Sequence, residues 1–404
     1  MYDVLIIGFG VSGISFVKYL KQFTNYKYIV IEKRDTYGGI WNDALNSTTL
    51  QTHKNYYQYN DFKMPENYPN HPSKHQILEY LGNVINFYKL DNVIYNHNVL
   101  KTKNNKTHWE LKIKNNNNNK IIKIKSNYLI ICNGLYSSKK KIALNNFKGK
   151  IIHISNIKNY NLNIFNNKNI TIIGNGASAC DFLNAIKDKN SKIYLLYKKD
   201  KYFIKKIVFY ISTSIILNKY ILLFFKKIPL QLYLVLFKIA NILLFNNFLN
   251  IPKEKVNSKN LIASTIIPEL IYKNKLIYLK DTIKYCKSNH IILKNSILFN
   301  IDYIILCNGY DESYNFLKDN NKFVYRYKQI INPFLNNVAF IGHSASYNWL
   351  INSYNQSKWY IDNIILKKII ISQQTMFDEI KKHKNNNKKN NLDYKDLTYE
   401  LFNS

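Results

Sequence analysis

Asp3-Val4-Leu5-Ile6-Ile7-Gly8-Phe9-Gly10-Val11-Ser12-Gly13 is the stretch on which the reading of the fold turns. The run up to Ile7 predicts a buried parallel strand, and three glycines follow it without a gap. A glycine turn directly behind such a strand has a mechanical meaning. The first glycine makes the turn, the second lets a pyrophosphate approach the backbone, and the third lets helix pack on strand. The phosphate then rests on the helix N-terminus, where unsatisfied amides point outward. Working outward, Ile14 to Phe23 supplies that helix, Tyr28-Ile29-Val30-Ile31 the next strand, and Glu32 a carboxylate placed to accept hydrogen bonds from a ribose hydroxyl.

The pattern occurs twice. Ile170-Thr171-Ile172-Ile173 runs into Gly174-Asn175-Gly176-Ala177-Ser178-Ala179, then a helix through Ala185 and a strand from Ile193 to Tyr197. Glu32 stands 24 positions after Gly8, and Lys198 stands 24 after Gly174, followed by Lys199. An acid at this rim pairs with a free ribose 2′-hydroxyl and repels a 2′-phosphate, whereas cations attract that phosphate. The first unit is therefore expected to take FAD and the second NADPH.

The chain has 404 residues, enough for two or three domains at about 150 residues each. Its apolar content of 46% is ample for buried cores. A formal charge of +33 raises the question of nucleic acid, but the lysines are scattered through every segment instead of gathering on one face, so no specific nucleic-acid partner is expected. Cys132, Cys180, Cys286 and Cys307 form no close pair, which argues against a disulfide framework, a metal site or a dithiol redox centre. Together with a first strand that begins within a few residues of Met1, this predicts a reducing, cytoplasmic setting.

Between and after the two turns the pattern is coarser. Ser73 is placed to cap a helix from Lys74 to Tyr88. Trp109 to Ile113 and Ile121 to Lys125 read as strands joined across Asn115 to Asn119, with Tyr128 to Cys132 as a separate buried strand ending at Gly134. Residues 206–249 are the most apolar part and predict two helices joined near Pro229. Asn218 and Lys219 interrupt the first, which argues against a membrane span. A cap over a substrate entrance and a peripheral membrane contact both fit this insert. Tyr303 to Gly309 repeats the strand-to-glycine ending, Val338 to Ile341 is a further buried strand, Asn355 to Leu366 a helix, and 381–404 a polar, disordered tail.

In order and spacing these motifs resemble the flavin-containing monooxygenases over roughly residues 1–366. Phe147-Lys148-Gly149-Lys150-Ile151-Ile152-His153 looks like that family's F-x-G-x-x-x-H signature, closing with Ile157-Lys158. Gly38-Gly39-Ile40-Trp41, Leu50-Gln51-Thr52 to Asp61-Phe62, Tyr80-Leu81 and Gln356-Ser357-Lys358-Trp359 also match. His53 departs from the pattern where many members have Asn, Asn133 and Asn308 replace a Thr, and Tyr354 replaces a Glu. The resemblance implies an α/β fold with two Rossmann-like dinucleotide-binding domains, the second inserted into the first. It places a first FAD-binding part at 1–145, the NADPH-binding domain at 146–310 and an FAD-binding return segment at 311–380.

The resemblance also implies a reaction. NADPH passes a hydride to FAD, the reduced flavin takes up O2 as a C4a-hydroperoxide, and a soft nucleophile of a small molecule, nitrogen or sulfur, is oxygenated. On the FAD side the contacts are expected from Gly8, Gly10, Ser12, Gly13, Glu32, Lys33, Gly39, Ile40, Trp41, Val99 and Gly134. On the NADPH side they are expected from Gly174, Asn175, Gly176, Ala177, Ser178, Lys198 and Lys199, with Asn308 and Gly309 closing the site. Thr52 and His53 are expected nearest the flavin's reactive edge, His53 as a hydrogen-bond donor. His153, His71 and Asp61 read as structural. A Baeyer-Villiger oxygenase, whose signature ends in Trp-Pro, and an uncoupled or non-catalytic flavoprotein stay open as alternatives. A flavin disulfide reductase would need a cysteine pair that the sequence lacks.

Overall fold

The computed structural model describes residues 1–390 apart from 106, 209, 217–227, 246–251, 254–259, 318–325 and 345–347. The apolar run Leu5 to Ile7 lies at the centre of the first sheet. There β1 (Tyr2–Ile7) pairs in parallel with β2 (Tyr28–Ile31), Val4 opposite Tyr28 and Ile7 opposite Ile31. The strand is buried on both faces. Val4 and Ile6 pack toward helix α1 (Val11–Phe23), and Leu5 and Ile7 toward the opposite cluster around Trp109 and Phe340. Helix α2 (Lys74–Phe87) starts at the expected Ser73, whose hydroxyl and Gln76 form a reciprocal cap.

Beyond β2 the sheet adds β3 (Val93–Ile94), and on its other side come β4 (His97–Asn104), β5 (Trp109–Asn115) and β6 (Ile121–Ile131). The two segments read from the sequence as separate strands are one. Ser126 is the junction, opposite Trp109 of β5 and Tyr2 of β1, so one 11-residue strand leaves the antiparallel meander and joins the parallel sheet. No glycine or proline interrupts it there. The asparagine run is the hairpin turn, with Asn115 Oδ1 accepting from the Asn117 amide at 2.8 Å.

The chain crosses to the second unit through β7 (Ser138–Lys139). It then forms β8 (Lys150–His153), β9 (Asn169–Ile173), helix α3 (Ala177–Ile186) and β10 (Lys192–Tyr197). Next come β11 (Tyr202–Phe203), β12 (Ile207–Val208), β13 (Ile211–Ser212) and β14 (Leu261–Ile262), then β15 (Leu276–Lys280). After the small meander β16 (Ile283–Lys287), β17 (His290–Leu293) and β18 (Ile297–Leu298), β19 (Tyr303–Leu306) completes a parallel sheet of order β15-β10-β9-β19-β8. The return crossing, β20 (Tyr310–Asp311), pairs antiparallel with β7, and β21 (Val338–Phe340) rejoins the first sheet beside β6. Helix Trp349–Tyr360 then packs on α1 and runs on to Leu366. It begins six residues before the expected Asn355, because Leu350 and Ser353 are already buried in that contact.

Two further expectations are corrected. Within 206–249, the start is a hairpin rather than a helix. β-Branched Ile207, Val208 and Ile211 favour the extended backbone, and Tyr210 turns it with φ +62. A short helix follows the hairpin at Thr213–Ile216, residues 217–227 lie outside the described residues, and the helix Leu230–Phe245 buries Tyr233 and Phe237 against Tyr202 and Ile204 and leaves Leu232, Val235 and Ile239 exposed. No helix among the described residues is long and apolar enough to cross a membrane. The tail, expected to be disordered from 381, continues a helix over Gln373–Asn390, anchored by buried Met376 and Ile380; residues 391–404 lie outside the described residues.

Asp61, read as loop-ordering, holds a charge that α1 buries. Lys18 is fully buried, and its Nζ lies 2.6 Å from Asp61 Oδ2 and over the rings of Tyr59, Tyr88 and Tyr354. Tyr354 thus occupies the departing position with a ring that faces a cation. Asp61→Asn is expected to cost on the order of 2–3 kcal/mol in chemical denaturation, because it leaves an ammonium buried without its counter-charge. Adding Lys18→Met should recover most of that loss; a double variant less stable than the single would refute this account.

Candidate functional site

At the carboxyl edge of the first sheet, Gly8 takes φ +97 and a Cβ there would lie 2.7 Å from the Cys132 carbonyl oxygen. A Cβ on Gly13 would lie 2.0 Å from the Gly8 carbonyl oxygen, so helix α1 closes on its own strand only with glycine. Gly10 is the N-cap of α1; no side chain caps this end and no acid stands in its first turn. Glu32 is buried, accepting from the Phe9 amide at 2.7 Å and the Arg34 amide at 3.0 Å, so its carboxylate is fixed beside the turn with lone pairs to spare. Ser12 meets Ser353 at 3.0 Å, and Gly39 lies against Gly10. Trp41 donates to the Tyr57 hydroxyl at 2.9 Å, Lys33 and Ile40 are exposed near the Glu32 rim, and Val99 is taken up by the core with Ile7 and Ile31.

The second edge repeats the design with the charge reversed. Gly174 has φ +105 and a Cβ there would lie 2.4 Å from the Cys307 carbonyl oxygen, whereas a Cβ on Gly176, the N-cap of α3, would meet nothing within 4 Å. This helix end too lacks a capping side chain and a first-turn acid; Ala177 and Ser178 form its first turn. Asn175 does not project into the open space. Its amide donates to the Lys199 carbonyl at 3.0 Å and to the Tyr278 hydroxyl at 2.8 Å, tying the rim to the turn. Lys198 and Lys199 are exposed, and the nearby Asp200 is engaged by Lys280 at 2.6 Å, so the rim keeps its positive charge.

Two helix N-termini that are uncapped, free of acid and lined by glycine form the cradles a dinucleotide pyrophosphate requires. A carboxylate at one rim and ammonium groups at the other fit a 2′-hydroxyl and a 2′-phosphate respectively. The residues present therefore fit two different adenine dinucleotides.

The loop carrying Thr52 and His53 belongs to the first unit and is bonded to residues of the second. Thr52 Oγ1 is buried with no hydrogen-bond partner among the described residues. His53 is not free in the same way. Its Nδ1 accepts from the Asn55 amide at 3.2 Å and its Nε2 faces Asn70 Oδ1 at 3.1 Å, so the ring is the neutral Nε2–H form and caps the turn Lys54–Tyr56. Burial holds it below the usual histidine range. Both ring nitrogens of His53 are thus engaged by the protein, whereas among the described residues nothing engages the Thr52 hydroxyl.

The sequence reading missed what the second unit lays on this loop. Lys206 Nζ binds Thr49 Oγ1 at 2.5 Å, and Asp181 of α3 accepts from Thr48 Oγ1 at 3.1 Å, its carboxyl raised by burial to about 6. Ser214 accepts from the His53 amide at 2.9 Å, and Ser212 meets His71 at 3.2 Å. These residues belong to no glycine motif; only the apolar run at 206–212 marked the region. Lys158 of the signature segment adds a further tie, reaching the Asn42 carbonyl at 2.8 Å. His153 Nδ1 accepts from the Ser155 amide, and its ring stands edge-on to Tyr310 at the crossing.

Asn133 and Asn308 stand at the two roots of the β7–β20 ribbon and bind reciprocally. Asn133 donates to the Ser313 carbonyl at 2.8 Å and Asn308 to the Lys140 carbonyl at 3.2 Å, so each strand end holds the other crossing. Gly134 and Gly309, both with positive φ, follow them into open space.

The sequence model described as "Flavin-binding monooxygenase-like" matches residues 2–400. The chain is similar to a 4-hydroxybenzoate brominase (decarboxylating) of Marinomonas mediterranea, 24% identical over 84% of this chain and 69% of the relative. It is also similar to Flavin-containing monooxygenase 1 of Homo sapiens, 24% identical over 78% of this chain, which spans only 63% of that relative's length. Among solved structures, OTEMO in complex with FAD and NADP superposes with a TM-score of 0.71 at 17% identity, covering 91% of this chain and 84% of the other.

Proposed function

Because the chain belongs to the flavin-binding monooxygenase-like family, we propose that it is an FAD- and NADPH-dependent monooxygenase that oxygenates a nitrogen or sulfur nucleophile of a small molecule. The observation that carries this reading is the pair of uncapped helix N-termini with Glu32 at one rim and Lys198 and Lys199 at the other. FAD belongs on the Gly8–Gly13 turn and NADPH on the Gly174–Ala179 turn. NADPH supplies two electrons and the flavin the oxygen activation.

The chain's own residues bind, orient and exclude water. The amides at the start of α1 and α3 hold the two pyrophosphates, and Glu32 accepts from the flavin nucleotide's ribose. Lys198 and Lys199 attract the 2′-phosphate. Thr52 offers its hydroxyl at the edge between the units, and His53 keeps that backbone in place. The β12–β13 hairpin, bound to this loop through Ser214 and Lys206, covers it and supports the role of the insert as a cap.

The test compares NADPH consumption with product and peroxide for purified protein supplied with FAD and a panel of amines, thioethers and ketones. Most electrons are expected to appear in an N- or S-oxide. Protein that stays colourless with excess FAD sinks the proposal, ester formation from ketones moves it to Baeyer-Villiger chemistry, and peroxide as the sole product makes the chain an oxidase.

A further inference from the structure

The loop at Thr52 is tied to the second unit by a hydrogen-bond chain whose direction depends on which nitrogen of His71 carries the hydrogen. His71 Nδ1 lies 3.1 Å from the Leu50 carbonyl oxygen, so in a neutral ring bonded there Nδ1 carries the hydrogen and Nε2 accepts; the Lys206 backbone carbonyl also bonds the ring and favours its protonated form. Ser212 Oγ, 3.2 Å from Nε2, donates its only proton there. It must then accept from Ser214 Oγ at 2.9 Å, and Ser214 accepts in turn from the His53 amide at 2.9 Å. Both hydroxyl protons point toward His71. Adding a proton to His71 reverses both: Nε2 donates to Ser212, Ser212 donates to Ser214, and Ser214 turns its own proton outward beside Thr52.

We propose that His71, Ser212 and Ser214 form a proton relay that carries the one solvent proton consumed per turnover to the Thr52–His53 edge. This rests on the monooxygenase reading above. In that reaction NADPH, one proton, O2 and substrate give NADP+, water and oxygenated substrate. The hydride supplies both electrons, one oxygen atom enters the substrate and the other leaves as water. When no substrate is bound, NADPH, one proton and O2 give NADP+ and hydrogen peroxide, so the same proton is needed. In the relay the imidazolium N–H bond breaks, each serine gains one proton and passes on another, and His71 ends neutral.

The surroundings suit a donor that passes its proton on. The titratable groups facing His71 are Lys206, from the bend leading into the hairpin, and His53, from its own loop, and Asp181 stands beside Lys206. Burial, then Lys206, holds the ring below the usual histidine range against the backbone bonds to Leu50 and Lys206, so a proton placed on it is readily passed on. His71 and Ser214 are partly exposed and Ser212 between them is buried, so the middle step of the relay is shielded from water.

Two measurements on the full chain test it. Nitrogen NMR of the FAD-free protein in mildly alkaline solution should find His71 in the Nδ1–H form and His53 in the Nε2–H form; a His71 protonated on Nε2 overturns the chain's direction and with it the relay. With FAD bound, S212A should slow NADPH-dependent O2 consumption about 100-fold, the size of a typical lost proton donor. The KM for NADPH should stay within about twofold. The wild-type rate should fall about tenfold per pH unit above the His71 pKa, S212A should lose that dependence, and S212T should restore it. S212A running at the wild-type rate and pH profile overturns the relay alone, whereas wild-type protein that oxidises no NADPH overturns the monooxygenase reading as well.

Discussion

Gly13→Ala is expected to purify without flavin and to melt well below the wild-type protein. The added methyl would stand 2.0 Å from the Gly8 carbonyl oxygen, a backbone atom that cannot swing aside. Either α1 lifts from β1 or the turn opens. Overpacking of this kind costs about 3 kcal/mol, or roughly 6–12 °C for a unit of this size. The same shift moves the helix N-terminus off the pyrophosphate position, so visible flavin absorbance per protein should fall to near zero even with FAD in excess. A Gly13→Ala protein with wild-type colour and melting temperature would mean that the first turn is not the FAD cradle described above.

The second large effect concerns the coenzyme. Replacing both Lys198 and Lys199 with Ala should raise the KM for NADPH about 10- to 100-fold, the range for charge-assisted hydrogen bonds to a phosphate. The KM for NADH should change by less than about twofold, since the 2′-hydroxyl does not need those charges. Asp200 is already engaged by Lys280, so the loss is not offset by releasing a local acid. Because both lysines are exposed, added salt should weaken NADPH binding to the wild type and leave the double variant nearly indifferent. Equal effects on the two coenzymes would remove the 2′-phosphate assignment.

The two cradles were legible because their chemistry is local: strand, glycine turn, helix and rim residue follow one another within about 30 residues, and backbone sterics dictate the glycines. The nesting of the second unit within the first was implied by the resemblance that the order of motifs carries, and the parallel pairing of β21 with β6 agrees with it. Other features depended on contacts across long stretches of chain. Nothing near Ser126 announces that one strand serves two neighbours. The two-helix reading of 206–249 missed the hairpin at Ile207–Ser212 because an apolar run without polar spacing does not separate strand from helix. Ser212, Ser214, Lys206 and Asp181 carry no motif and gain meaning only where they meet residues 48–71, more than a hundred positions away. His53 stood out by departing from a pattern, yet its ring is taken up by Asn55 and Asn70, and the plain threonine before it is left with the free hydroxyl.

The ribbon of Ser138–Lys139 against Tyr310–Asp311 brings the chain's outward and homeward passages side by side. A module whose two ends leave the host side by side can be exchanged as a single graft, with the ends to be spliced already aligned by the host. Its bonds to Thr48, Thr49, His53 and His71 would have to travel with it, so a graft that keeps the ribbon and drops Lys206, Ser212 and Ser214 would leave that loop without its partners.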